Sequence, residues 1–227
     1  MKEIWIFGDS FAEPSKNLDS WTKLLKKNNK FLIRNFALSG TGPDYQLKIF
    51  KKLMQESNIE DTKKIVVIFF VSDITRFNFK FLKPKDQVIR FEDSWKNQNK
   101  LSKSLYKKYV RYKRFIKCFY NFYVFHSAYM ETELEKILGF LYLHSYRFEK
   151  TLAWPIFNDS SDFLPMKSSN FYVPNKIMSE LNKDMYPMGQ SPNINHLTIE
   201  NNHILATELE NWIVTGKIID CNQFKDR

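Results

Sequence analysis

The chain has 227 residues, 43 % of them hydrophobic and 16 % aromatic, which excludes a disordered chain and suffices for one folded domain over residues 1–227 without staples. No run of eighteen apolar residues occurs, so a spanning helix is not expected. The formal net charge is +10, yet nine Lys or Arg and no Asp or Glu fall between Ser94 and Met130, so the excess belongs to one segment.

Residues 4–10 read Ile-Trp-Ile-Phe-Gly-Asp-Ser, a short apolar run that ends on a serine. A strand that stops there presents the hydroxyl at the carboxyl edge of a sheet, where open α/β sheets place their sites. Gly-Asp-Ser is also ordinary turn composition. A helix follows around Trp21, Leu24 and Leu25. Residues 31–37 predict a second strand, closed by Ser39-Gly40-Thr41-Gly42-Pro43. Pro43 suits the first turn of a helix carrying Tyr45, Leu47, Ile49, Phe50, Leu53 and Met54 on one face. Residues 65–71, Ile-Val-Val-Ile-Phe-Phe-Val, have the composition of a parallel strand buried on both faces.

The β-α-β-α-β pattern then breaks. Residues 76–150 offer no core strand and read as a helical insertion or elaborated crossover. Apolar residues at 101, 105, 109, 112, 116, 119 and 123 predict a long amphipathic helix. A second helix is expected to start near Thr132, with Glu135 as capping-box partner and Leu134, Ile137, Leu138 and Leu141 buried. Residues 151–157 resume the strand pattern, with Pro155 near its end. Residues 158–195 read as loop with at most one short helix near 176–183. Thr198 caps a last helix through Ile199, Leu205, Leu209 and Trp212, which stops at Gly216. The fold class is therefore α/β, a three-layer α/β/α flavodoxin-like parallel sheet with an insertion at about 76–150.

The basic segment has several readings. Lys103, Lys107, Arg111, Arg114 and Lys117 fit the solvated face of a packed helix, or a surface for an anionic polymer or membrane. Interleaved tyrosines also allow nucleic acid, although no recognised motif accompanies them. Arg76, just past the third strand, could meet an anionic substrate or pair with a surface carboxylate. Cys118 and Cys221 lie far apart without metal-ligand spacing, as expected of free thiols in a reducing, cytoplasmic setting. Met1-Lys2-Glu3-Ile4 begins no standard secretion signal. His126 and His144 lie in the insertion with no ligand partners in sequence, and His203 is expected on a helix surface.

Three motifs line up in chain order: Phe7-Gly-Asp-Ser-Phe-Ala12, Asn35-Phe-Ala-Leu-Ser-Gly40, and Asn193-Ile-Asn-His196. Their order resembles the GDSL or SGNH hydrolase superfamily, mostly esterases, lipases and carbohydrate deacetylases, over nearly the whole chain except residues 76–150. The resemblance implies Ser10 as nucleophile and oxyanion N–H donor, Gly40 as a second N–H donor, and His196 as general base. A serine hydroxyl needs such a base, and a histidine titrates near the working pH. Two positions depart from the family pattern. Ser72 stands where the family has an asparagine donor, and Asn193 stands where it has the aspartate that supports the histidine. A hydroxyl can donate in place of the first. The second leaves a Ser–His dyad, a substitute acid such as Asp159, Asp162 or Asp184, or a degenerate hydrolase fold that binds an anionic partner. The implied activity is hydrolysis of an acyl or O-acetyl ester of a small molecule or glycan, with no metal or organic cofactor.

Overall fold

The computed structural model describes residues 1–27, 29–74, 118, 127–156, 167–182 and 196–225. Five parallel strands form one sheet: β1 (Lys2–Phe7), β2 (Phe31–Asn35), β3 (Ile65–Val71), β4 (Lys150–Pro155) and β5 (Phe171–Tyr172), in the order β2-β1-β3-β4-β5. Helices α1 (Trp21–Lys27), α2 (Pro43–Glu56), α3 (Ile59–Thr62), α4 (Ser127–Ser145) and α5 (Ile199–Thr215) accompany the strands, with short 3₁₀ turns at Glu180–Asn182 and Cys221–Gln223. The order 2-1-3-4-5 is the flavodoxin-like one, so the α/β expectation holds.

Two cores sandwich the sheet because strand side chains alternate between its faces. Ile4 and Ile6 of β1, with Val66, Ile68 and Phe70 of β3, face the layer that contains Trp21, Leu205, Leu209 and Trp212. Trp5 and Phe7, with Val67, Phe69 and Val71, face the layer that contains Phe50, Leu134, Ile137 and Leu141. Every residue of β3 is buried, as its unbroken β-branched and aromatic run requires. Each fully buried side chain of this size contributes about 1.5–3 kcal/mol.

Local signals set the helix ends where the sequence carries them. Pro43 opens α2 behind an N-cap at Gly42. Thr198 Oγ1 accepts the Asn201 N–H at the start of α5, and Gly216 closes that helix at φ 73°, a left-handed conformation that glycine adopts freely. Lys150 Nζ donates to the Trp212 and Ile213 carbonyls, placing a cation at the negative end of α5. Its ammonium pKa is lowered, first by desolvation and then by Lys2.

Several boundaries differ from expectation. Among the described residues helix α4 covers Ser127–Ser145, so Thr132 and Glu135 lie within it rather than at its start. A Thr-x-x-Glu spacing is equally compatible with a helix interior, and only packing chooses between them. The expected face is the buried one: Leu134, Ile137, Leu138 and Leu141. In the stretch expected to be loop, Phe171 and Tyr172 pair with Thr151 and Leu152 as a fifth strand. A two-residue strand has no periodicity to read. The short helix near 176–183 is a 3₁₀ turn at Glu180–Asn182. The amphipathic helix expected over 101–123 lies outside the described residues apart from Cys118, as do Lys103, Lys107, Arg111, Arg114, Lys117, Arg76 and His126. Cys118 is exposed and Cys221 buried, and neither is in a disulfide. Burial pushes the Cys221 thiol up to about 11. No described helix is long and apolar enough to cross a membrane.

Candidate active site

Parallel pairing delivers the ends of β1, β2 and β3 to one sheet edge. The β1–β2 ladder runs on past Asn35: Phe36 N–H donates to the Ile6 carbonyl and Leu38 N–H to the Gly8 carbonyl. Gly40 follows at φ 77°, half-buried. On the other side Phe7 pairs with Phe69, so Ser10 and Ser72 each stand three residues beyond a shared register point.

The turn that carries Ser10 is held from several directions. Asp9 is fully buried, and its Oδ1 accepts the Phe11 N–H at 3.1 Å. The Asp9 carbonyl accepts the N–H groups of Ala12 and Glu13, making one helical turn behind the serine. Asn35 Nδ2 donates to the Ala12 carbonyl at 2.7 Å, and Trp21 Nε1 donates to the Phe11 carbonyl at 2.9 Å. Gly8 sits at φ 157°, and a Cβ there would fall 2.8 Å from that of Ala12 and 3.1 Å from that of Phe70. Glycine is what lets β1 turn so closely over β3.

His196 reaches Ser10 from the segment that enters α5. Its Nε2 lies 2.8 Å from Ser10 Oγ, and its ring stacks on Phe11 with centroids 4.8 Å apart. The imidazole is exposed while Ser10 is half-buried. His196 itself has φ 65°. A non-glycine residue in the left-handed region costs about 1–3 kcal/mol and persists where its surroundings over-determine it. Those surroundings include Leu197, which is fully buried, and the Thr198 cap.

Asn202 joins the two halves of the site and carried no signal in the sequence. It is fully buried in the first turn of α5. Its Oδ1 accepts the Trp21 N–H at 3.0 Å, and its Nδ2 donates to the Leu197 and Thr198 carbonyls at 3.3 and 2.9 Å. A hydrogen-bonded path thus runs from the Phe11 carbonyl through Trp21 and Asn202 to the residue after His196. Asn202→Leu is expected to lose about 1–3 kcal/mol of stability by leaving the Trp21 N–H buried without its acceptor. Urea denaturation checks that figure.

The other expected site residues are placed as follows. Ser72 is fully buried, and its hydroxyl oxygen accepts from Gln46 Nε2 at 3.0 Å. Gln46, which the apolar reading of α2 passed over, is buried on the same helix face as Phe50 and Met54. Thr41, between the two turn glycines, is buried with its hydroxyl donating to the Leu38 carbonyl at 2.7 Å. Asn193, Asp159, Asp162 and Asp184 lie outside the described residues. His203 is on the α5 surface, 3.8 Å from Asp19. His144 packs against the Phe140 ring at 4.5 Å, and desolvation lowers its pKa. Among the described residues no group of three His, Cys, Asp or Glu gathers as a metal site.

A cavity of about 210 Å³ opens between α2 and α4, with Pro43, Leu47, Ile74, Ile137 and Phe140 among its walls, and neither Ser10 nor His196 lines it. Asp44 also lines it; partial desolvation and then the Glu133 charge raise its carboxyl pKa.

Chemically, the edge presents a hydroxyl in hydrogen-bond contact with an imidazole, beside a left-handed glycine turn. This is the arrangement in which a base takes a serine's proton. No family model matches the chain, and no curated protein matches it. Among solved structures the chain is similar to a member of the lipolytic protein G-D-S-L family from Veillonella parvula DSM 2008, at 10 % identity and a TM-score of 0.47, over 95 % of this chain and 99 % of that one.

Proposed function

We propose that the protein is a serine-dependent ester hydrolase acting on an acyl or O-acetyl ester of a small molecule or glycan. The observation that carries this reading is the 2.8 Å contact between Ser10 Oγ and His196 Nε2, closed across 186 residues of chain. With the neutral imidazole protonated at Nδ1, Nε2 accepts the serine proton as Oγ attacks the acyl carbon. The carbonyl π bond opens to an oxyanion, for which the N–H groups of Ser10 and Gly40 are the proposed donors. Collapse of that intermediate breaks the bond to the alcohol, which leaves with the proton held on His196. Water then attacks the acyl-serine, His196 takes its proton, and the acid departs as Oγ is reprotonated. Preorganised donors at the oxyanion are worth about 2.7–4 kcal/mol each where they have been measured.

In this reading Asn193 orients the imidazole in place of a carboxylate. An asparagine there does not stabilise the imidazolium charge, and in a serine protease the matching exchange lowers turnover about 10⁴-fold. The site is thus proposed as a Ser–His dyad of modest rate. Two free thiols fit a cytoplasmic setting.

Fluorophosphonate labelling of the full chain tests the proposal. Stoichiometric phosphonylation at Ser10, absent from Ser10→Ala and strongly slowed in His196→Ala, is the expected result. A folded wild-type protein that takes up no label would overturn it.

A further inference from the structure

The contact between His196 and Ser10 requires the imidazole to keep one orientation, and the backbone supplies only part of it. The left-handed conformation at 196, φ 65°, sets where the Cβ stands. The side-chain torsions beyond it are a matter of packing. His196 is exposed, so enclosure in a core does not set them. Against the imidazole lies the ring of Phe11, with centroids 4.8 Å apart and planes 30° from parallel. That is the separation and attitude of a stacked aromatic pair.

Phe11 is built as a fixed platform. It is 1 % exposed and belongs to the same core as Trp21, Leu205 and Trp212. Its N–H donates to Asp9 Oδ1 at 3.1 Å, and its carbonyl accepts from Trp21 Nε1 at 2.9 Å, so the peptide groups on both sides of the ring are held. The Trp21 N–H in turn donates to Asn202 Oδ1 at 3.0 Å. A leucine would serve this core as an apolar side chain but would offer the imidazole no aromatic face. The face has an electrostatic use as well. A proton taken from Ser10 turns the imidazole into a cation, and an asparagine at 193 has no charge to set against it. The quadrupole of an aromatic ring attracts a cation placed over its face within about 6 Å of the centroid.

We propose that Phe11 is a positioning residue for His196: its ring face holds the imidazole in the plane that brings Nε2 to Ser10 Oγ, and it supports the positive charge gained with the serine proton. The inference rests on the Ser10 reading above and adds a residue that acts only through the histidine. The role proposed for Asn193 concerns the edge of the imidazole, whereas that of Phe11 concerns its face.

The test uses the full chain with 4-nitrophenyl acetate as probe, alongside fluorophosphonate labelling. Phe11→Leu keeps an apolar side chain and removes the stack. Its kcat and its labelling rate at Ser10 are expected to fall about three- to tenfold, with KM little changed. Replacement of Phe11 by trifluorophenylalanine keeps the ring and nearly its shape but withdraws negative charge from its face. That variant should keep its urea stability and lose about two- to fivefold in kcat. It also keeps the inference open to test should Phe11→Leu fail to fold, and a merely structural phenylalanine would show no such loss. Wild-type kcat in either variant, with Ser10 still labelled, would overturn this inference and leave the Ser10 reading standing. A wild-type protein that does not label would overturn both.

Discussion

His196→Ala is expected to lower ester turnover on the order of 10²-fold, since in the proposed dyad the absent carboxylate has already removed about 10⁴ of the roughly 10⁶ that a complete triad supplies. His196→Gly should be equally slow yet more stable than His196→Ala by about 1 kcal/mol. The difference follows from the backbone, because position 196 has φ 65° and glycine alone adopts that region without steric cost. Steady-state kinetics and urea denaturation of the two variants separate the imidazole's chemistry from the backbone's strain. Equal stability of the two would mean that the loop relaxes once the Ser10 contact is gone. Turnover close to wild type in either variant would remove His196 from the mechanism.

Gly8→Ala is expected to lose about 2–4 kcal/mol, combining an unfavourable backbone region with overpacking. The new Cβ would stand 2.8 Å from Ala12 Cβ and 3.1 Å from Phe70 Cβ, and neither is the far end of a flexible side chain. Ala12 belongs to the turn behind Ser10, and Phe70 is fully buried at the centre of the sheet. The strain is therefore relieved by movement of the turn that carries Ser10. Turnover should fall even at temperatures where the variant stays folded, and paired measurements of kcat and unfolding free energy check both parts. An alanine variant with wild-type stability and rate would show that the turn accommodates the methyl group freely.

Much of this site was legible because its parts sit next to strong local signals. The apolar run 65–71 is unmistakable as a central strand, and Ser10 and Gly40 each follow a strand. Thr198 and Gly216 bracket α5 through hydrogen-bonding and conformational preferences that belong to those residues alone. The residues that were missed act at a distance. Asn202 bonds Trp21 across 181 positions, and Gln46 bonds Ser72 across 26. A buried amide on an amphipathic helix has the same local pattern as an exposed one, so nothing near it in the chain announces its partner. The helix start expected at Thr132 differs as well, since a Thr-x-x-Glu spacing reads the same inside a helix, where it lies in α4.

The sequence by itself determined the α/β class, the positions of β1 to β4, and the serine, glycine and histidine brought to attention at the ends of elements. These follow from side-chain period, turn chemistry and helix caps, all of which act within a few residues. Only the tertiary structure decided that β1 lies between β2 and β3, that Phe171 and Tyr172 add a fifth strand, and that His196 meets Ser10 at 2.8 Å. Such contacts are stabilised by burying both faces of the sheet at once, a free energy shared across the whole chain and written in no single segment of it.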